Sequence, residues 1–440
     1  MALMKRFLNP NKPSSAAASQ SSEDLSVELL KQLIPVRNLS DEELESFALE
    51  NKAEVLPEKS ILFNAGDPVD AVVFLLRGTV SLIDAQGKCH EIEADTLKAK
   101  FPLASGIKHV TTGKAKTRVS ILRVSPKIMT IDKVRTEHAQ LNIPERLAES
   151  RLLQVFSESY LDDELEIPTL PRVAIKLRTA MQKDIGIAEA VEIIQLDPVI
   201  SAKLLQVANC PLYLTTTPAK TCFDVVNRIG LHATRNLVIS LSIKHTFTQK
   251  SPLIAGFLDK IWKRSVYISC ISYVLAAITK QIDPEEALLA GLICDIGAVP
   301  FLNFAANLPA SYYTEQDIAQ ALPYVAGPVG YTILRNWDFP DEFLEIPRHS
   351  TDWMYSEGEH LTLNDIVLLS RMHSKIGTPA MANLPAITSV PAASKLENVS
   401  LSPENSLHIL YEAKSKIMKP CKFSPCKCLV RPCRTLTQSP

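Results

Sequence analysis

The sequence lacks an excess of charge of either sign. Its 440 residues include 47 lysines and arginines against 48 aspartates and glutamates, which gives a formal net charge of -1. Such a balanced chain has no global field that would attract nucleic acid or an anionic membrane surface, so any binding of that kind must be local. We therefore expect no nucleic-acid partner.

The sequence also lacks the apolar segments that direct a chain to or across a membrane. Residues 1–22, MALMKRFLNPNKPSSAAASQSS, break into Asn, Pro and Ser and have no apolar core of a secretory signal. The most apolar helical candidate, SVYISCISYVLAAIT at 265–279, is too short to cross a bilayer. These features predict a cytoplasmic protein without a membrane segment.

Closely spaced cysteine pairs are missing from the body of the chain. Five of the nine cysteines lie singly in apolar surroundings, which is typical of reduced thiols in the cytosol: Cys89, Cys210, Cys222, Cys270 and Cys294. The other four crowd the basic C-terminal segment, with four, one and four residues between them: Cys421, Cys426, Cys428 and Cys433. Four thiolates can bind zinc, but this spacing is unlike the paired spacing of zinc ribbons, so a zinc site and a redox-labile tail both remain open.

Length and pattern predict an α+β multidomain protein, because 440 residues exceed what one hydrophobic core usually organises. We expect a disordered arm at 1–22, an antiparallel β-roll with flanking helices at 23–157, an all-α domain at 158–418 and a Cys-rich basic tail at 419–440. The helix RLAESRLLQVF, with Ala148, Leu152, Val155 and Phe156 on one face, is the expected coupling element between the two domains.

The N-terminal pattern contains short β-rich runs separated by glycine turns. The order of ILFNAGDP, VVFLLRGTVSLID and TRVSILRV is similar to that of the cyclic-nucleotide-binding domain over about residues 35–155. The resemblance implies a roll of strands that encloses a ligand, with helices that respond to it.

The chemistry of that ligand site is missing from the matching segment, FPLASGIKHVTTGKAKT. The family holds the phosphate with an arginine and the ribose with a carboxylate, whereas here Pro102 and Leu103 replace Gly and Glu, and threonines occupy the arginine region. No acidic residue occurs between Asp95 and Asp132. A different anion remains an alternative, with Lys108, Lys114 and Lys116 as candidate contacts.

The helical region resembles the HDOD domain, a module related to the HD phosphohydrolases. The motifs that carry the resemblance occur in order and at suitable spacing: Leu170-Pro171, Leu196-Asp197-Pro198, Val207-Ala208-Asn209 and Ile229-Gly230-Leu231. The resemblance covers about residues 160–418 and implies an all-α output module that acts through protein contact.

The resemblance also locates the positions at which HD phosphohydrolases bind divalent metals. The first histidine corresponds to Arg264, the His-Asp pair to Cys294 and Asp295, and the final aspartate to Arg371. A second pair of histidines is reduced to His349 alone. Two permanent cations would repel a divalent metal, so we expect no metal, no cofactor and no catalysis, and an ion pair if both arginines converge on Asp295.

These features together predict a non-enzymatic bacterial signal-transduction protein. Other signalling proteins are the expected partners, and a homodimer is allowed. Two alternatives remain: a metal-dependent HD-type phosphohydrolase, and a sensor of another anionic nucleotide ligand.

A first prediction concerns the roll. Because the ribose carboxylate is absent and no buried arginine is evident, we expect neither cyclic AMP nor cyclic GMP to bind with useful affinity. Isothermal titration calorimetry measures this directly, and saturable binding at micromolar nucleotide would contradict the prediction.

Overall fold

The computed structural model describes residues 21–39, 41–126, 141, 143–161, 165, 172–181, 185–209, 213, 218–244, 251–397 and 403–418. Its backbone contacts divide the chain into two compact units. As far as they are described, the first comprises Met1–Ala139 and Thr351–Ser406, and the second comprises Gln140–Ser350 and Leu407–Pro440.

The first unit contains the predicted antiparallel roll. Two four-stranded sheets have the orders β1-β2-β8-β4 and β3-β7-β5-β6, and every neighbouring pair is antiparallel. The strands are β1 Ser21–Asp24, β2 Lys52–Leu56, β3 Ile61–Phe63, β4 Val72–Arg77, β5 Thr79–Ile83, β6 Cys89–Glu93, β7 Thr112–Ala115 and β8 Val119–Val124. The antiparallel fold is confirmed, but the predicted arm at 1–22 is too long because β1 begins at Ser21; residues 1–20 lie outside the described residues.

Strand β4 contributes to two hydrophobic cores because its side chains alternate between the faces of its sheet. Val73 and Leu75 join a core formed by both sheets, whereas Val72 and Phe74 pack with two helices, α1 (Val27–Leu30) and α2 (Asp41–Glu50). The interior of the roll is therefore occupied by packed side chains.

The first unit also contains three helical segments from the C-terminal part of the chain. Helix α15 (Leu363–Ser374) and the short helix α16 (Pro391–Ser394) lie in it, and α17 (Pro403–Met418) begins at its boundary. The sequence assigned residues 351–406 to the helical module, whereas their contacts group them with the roll. The predicted domain boundaries therefore stay predictions.

The second unit is helical throughout its described residues, as the sequence predicts. Its helices are α3 Arg151–Leu161, α4 Arg172–Met181, α5 Ile187–Gln195, α6 Pro198–Ala208, α7 Cys222–Ile229, α8 Leu231–Lys244, α9 Pro252–Thr279, α10 Pro284–Ile293, α11 Ala298–Asn307, α12 Glu315–Asn336, α13 Asp341–Leu344 and α14 Ile346–His349. Asp197 and Asp283 cap α6 and α10 through their carboxylates, as expected of Asp-Pro starts.

Helix α3, which contains most of the expected coupling element, belongs to the second unit. Phe156 makes edge-on contacts with Phe301 and Phe304, at ring-centroid distances of 5.0 and 5.3 Å. Tyr160 bonds to Thr332 at 3.0 Å. Ala148 precedes the helix and is exposed, whereas Leu152, Leu153 and Phe156 are buried.

Two glycines permit close approaches between helices of the second unit. A Cβ at Gly291 would lie 2.6 Å from the Ser269 Cα of α9, so α9 and α10 are nearly in backbone contact. Gly297 follows the apolar run of α10 in the sequence, and a glycine at such a position predicts a left-handed helix end. That prediction is wrong, because the φ of Gly297 is -66°. Glycine is needed there because a side chain would overlap the backbone of Ala326 and Gly330.

Among the residues that the structure describes, two segments are long and apolar enough to cross a membrane, by length and composition alone. They are Pro252–Thr279 and Pro284–Asn307, and 67% and 89% of their apolar windows are buried inside the protein. The first is longer than the apolar segment that the sequence indicated. Core helices of globular proteins are buried in this way, so length and apolar composition are weak evidence for a membrane-spanning segment here.

The packing at Gly291 predicts opposite effects of one substitution at two helical glycines. Gly291→Ala should lower the free energy of unfolding by about 1–3 kcal/mol, because the methyl group overlaps α9. Gly256→Ala, within α9 where nothing lies within 4 Å, should raise it by up to about 1 kcal/mol through helix propensity. Urea unfolding measures both, and an equal response of the two variants would contradict the close approach.

Candidate functional site

The best-defined polar contact at the predicted metal positions joins Arg264 and Asp295. Arg264 lies on α9, and Asp295 lies in the turn that follows α10. The Arg264 Nε donates to the Asp295 Oδ2 at 2.9 Å, and its Nη2 lies 2.9 Å from the same oxygen. The Asp295 side chain is 8% exposed and that of Arg264 52%, so a buried carboxylate meets a guanidinium that still reaches water.

Cys294 occupies the position of the missing histidine and turns its sulfur into its own helix. The residue is buried, and its thiol donates to the carbonyl oxygen of Gly291 at 3.1 Å. A metal ligand would have to be the thiolate, which could not make this bond. The contact is therefore a packing contact of a neutral thiol.

Arg371 is placed on α15, in the first unit, and is buried. Arg264 and Asp295 belong to the second unit. The contact of Arg264 with Asp295 is observed, and the expected convergence of Arg371 on the same carboxylate stays a prediction.

His349 is engaged by its own helical segment. Its Nε2 lies 3.4 Å from the Glu345 Oε2, and Arg348 contacts the same carboxylate while stacking 3.6 Å from the ring centroid of Tyr331. Burial raises the pKa of Glu345, but the hydrogen bonds and charges of His349 and Arg348 outweigh burial and hold the pKa below its ordinary value. The last surviving histidine of the second cluster thus belongs to a local ion-pair network.

The residues at these positions already have polar partners of their own. The one carboxylate that the family pattern retains already accepts two guanidinium contacts, and the thiol is bonded to backbone. Across the part of the chain that the structure describes, no group of three or more His, Cys, Asp or Glu side chains is arranged to hold a metal ion. The tail cysteines Cys421, Cys426, Cys428 and Cys433 lie outside the described residues.

The candidate anion contacts of the roll are at its surface and are not equivalent. Lys108 and Lys114 are exposed, whereas Lys116 bonds to both carboxylate oxygens of Glu91 at 2.7 Å, which raises the pKa of Lys116. His109, in the same segment, is buried and stacks on Phe63 at a ring-centroid distance of 4.3 Å. Burial lowers the pKa of His109 and favours its neutral form.

Sequence analysis missed an unusual carboxyl group at the start of α10. Glu285 accepts a hydrogen bond from the Tyr213 hydroxyl at 2.7 Å. Burial raises the pKa of Glu285 to about 7, and Asp283 adds to the rise while the bond from Tyr213 opposes it. The Asp-Pro-Glu-Glu helix start was visible in the sequence, but the partner Tyr213 is distant along the chain.

The second unit also contains a cavity between α4 and α5 that the sequence did not indicate. Its volume is about 560 Å³, and its apolar lining includes Ile175, Ile193 and Leu196. Leu196 is 62% exposed, and Val199 and Phe223 on α6 and α7 are 53% and 50% exposed. This part of the molecule therefore presents large apolar side chains to solvent.

The comparisons with known proteins identify this helical region. The HDOD domain model matches residues 167–353, so the chain contains an HDOD domain, as its motifs predict. No curated protein matches the sequence.

Among solved structures, a protein from Shewanella amazonensis that is provisionally named a metal-dependent phosphohydrolase is 24% identical, with a TM-score of 0.52 over 60% of this chain and 97% of its own. A provisionally named signal transduction protein from Marinobacter aquaeolei is 17% identical (TM-score 0.45; 68% of this chain, 72% of its own). A cyclic nucleotide-binding-like protein from Brucella abortus is 18% identical (TM-score 0.20; 25% of this chain, 97% of its own). The first similarity establishes a shared fold.

The geometry of the ion pair predicts that replacing Arg264 lowers the free energy of unfolding more than replacing Asp295 does. Arg264→Leu removes the guanidinium from the buried Asp295 carboxylate and should lower the free energy of unfolding by about 2 kcal/mol. This loss is smaller than for a fully buried pair because water reaches the site. Asp295→Asn leaves a guanidinium that can turn to solvent and should cost about 1 kcal/mol.

Urea unfolding of both variants checks this prediction. Lys263→Leu is the matched control, because Lys263 is the preceding cation on α9 and forms an exposed pair with Asp259. The control should change stability by less than about 0.5 kcal/mol. A larger loss for Asp295→Asn than for Arg264→Leu would contradict the assignment.

Proposed function

We propose that this chain is a cytoplasmic, non-enzymatic regulatory protein of bacterial signalling, and that its HDOD domain contacts other signalling proteins. The single observation that carries the proposal is the guanidinium of Arg264 on the carboxylate of Asp295. A divalent cation bound by Asp295 would face a permanent positive charge at contact distance, where repulsion is strongest. The ion pair instead ties α9 to the turn after α10.

A partner surface is supported by the exposed apolar side chains of the HDOD domain. Leu196, Val199 and Phe223 are each at least half exposed, and large exposed apolar side chains are typical of interaction sites when they cluster. The cavity lined by Ile175 and Leu196 would accept an apolar side chain of a partner.

The alternative function is metal-dependent phosphoester hydrolysis. The provisional name of the Shewanella amazonensis protein favours it. It requires the half-exposed Arg264 to leave Asp295, so that the carboxylate can bind a metal.

Two measurements on the full chain separate these functions. The first is hydrolysis of bis(4-nitrophenyl) phosphate with added Mn²⁺, for which we expect no turnover above buffer. Turnover that disappears in Asp295→Asn would contradict the proposal and support the phosphohydrolase.

The second measurement tests the contact surface by quantifying proteins that co-purify from the native cell. Leu196→Asp should reduce specific co-purification at least about tenfold, as expected for a charge placed in an interface core. Leu49→Asp is the matched control, because Leu49 on α2 is 85% exposed and lies in the other unit. Equal retention by the two variants would contradict this surface.

A further inference from the structure

The first unit contains a contact between two segments that are far apart in the sequence. We call residues 103–109 the roll loop and residues 384–395 the strap. The Ser105 hydroxyl donates to the carbonyl oxygen of Ser389, and the Ile107 amide donates to the Ser394 Oγ at 3.1 Å. Polar groups of the roll loop are therefore satisfied by the strap.

The fit between the roll loop and the strap leaves no room for a side chain at Gly106. Its φ is +102°, and a Cβ there would lie 2.9 Å from the Ser394 Cβ and 3.0 Å from the Pro391 Cα. Glycine is therefore required twice, by the backbone conformation and by the approach of the strap.

The strap is also anchored in the hydrophobic interior of the roll. Ala386 belongs to the same core cluster as Leu103 and Ala104 of the roll loop. Ser389, Val390 and the residues of α16 are buried as well. Because these side chains share one core, the strap is packed as part of the roll.

Lys395, the residue that follows Ser394 in the strap, holds the start of helix α15. The Lys395 Nζ donates to the Asp365 Oδ2 and to the Glu357 carbonyl oxygen, both at 2.9 Å. The Lys395 and Asp365 side chains are 0% and 1% exposed. The same Asp365 oxygen accepts from the amide and hydroxyl of Thr362, which form the capping box of α15.

We propose that the strap is a built-in ligand of the roll loop and the physical link between that loop and helix α15, which carries Arg371. An external anion at the Ile107 amide would first have to displace Ser394. Displacement of Ser394 also pulls on its neighbour Lys395, whose removal would take the cation away from the buried Asp365 carboxylate. The contact of the strap with the roll loop and its contact with α15 therefore loosen together, and this coupling is the property to test.

Hydrogen exchange measured by mass spectrometry on the full chain tests the coupling. Ser394→Ala removes the acceptor of the Ile107 amide, together with the bond that the Ser394 hydroxyl donates to the Pro391 carbonyl oxygen within the strap. Exchange across 103–109 should therefore accelerate about fivefold to tenfold, the factor expected when that segment loses one hydrogen bond. Exchange at the α15 start, residues 362–368, should accelerate at least about twofold in the same variant. Acceleration confined to 103–109 would overturn the link.

Lys395→Met tests the opposite direction. It should accelerate exchange at 362–368 and, through the strap, at 103–109. Lys116→Met is the matched control, because Lys116 pairs with Glu91 on the surface of the same unit. Acceleration at 103–109 by the control as well would overturn the proposal, and if Lys395→Met does not fold, the result for Ser394→Ala decides it.

Discussion

The arrangement of the helical unit depends on how closely α9 and α10 approach each other at Gly291. A side chain there would overlap the backbone of Ser269, so the two helices can meet only because this residue is glycine. Asp295 lies about one helical turn after Gly291, and Arg264 lies between one and two turns before Ser269 on α9. The close approach therefore brings the carboxylate within 2.9 Å of the guanidinium and allows Asp295 to be buried.

In metal-dependent relatives of this fold a divalent cation would join the helices at these positions, whereas here a guanidinium contacts the carboxylate. A bound metal and an ion pair differ in how strongly they restrain the side chains that they join. A metal fixes several ligands at once, whereas Arg264 contacts one carboxylate oxygen and stays half exposed. The ion pair thus connects α9 to the turn after α10 through a single carboxylate oxygen.

Sequence reasoning succeeded where the cause is local or carried by a family motif. The caps at Asp197 and Asp283 follow from neighbouring residues, and the burial of Asp295 follows from helical spacing. It failed where the cause is a distant contact. Gly297 was taken for a helix end because its need for glycine comes from Gly330, and Glu285 was overlooked because its partner is Tyr213. Contacts between residues so far apart in the sequence leave no periodic pattern from which they could be predicted.

The packing of the strap is the feature that the sequence predicts least well, because a Pro- and Ala-rich segment without helical periodicity indicates only a connection. Its packing also gives a physical reason for the unusual composition of the roll loop. Leu103 and Ala104 are apolar because they share a core with Ala386, and the Ile107 amide already has Ser394 as its acceptor. An arginine and a carboxylate for a nucleotide would have to be buried against this apolar segment without their ligand, at a high desolvation cost. The apolar composition of the roll loop and the packing of the strap against it therefore belong to one arrangement.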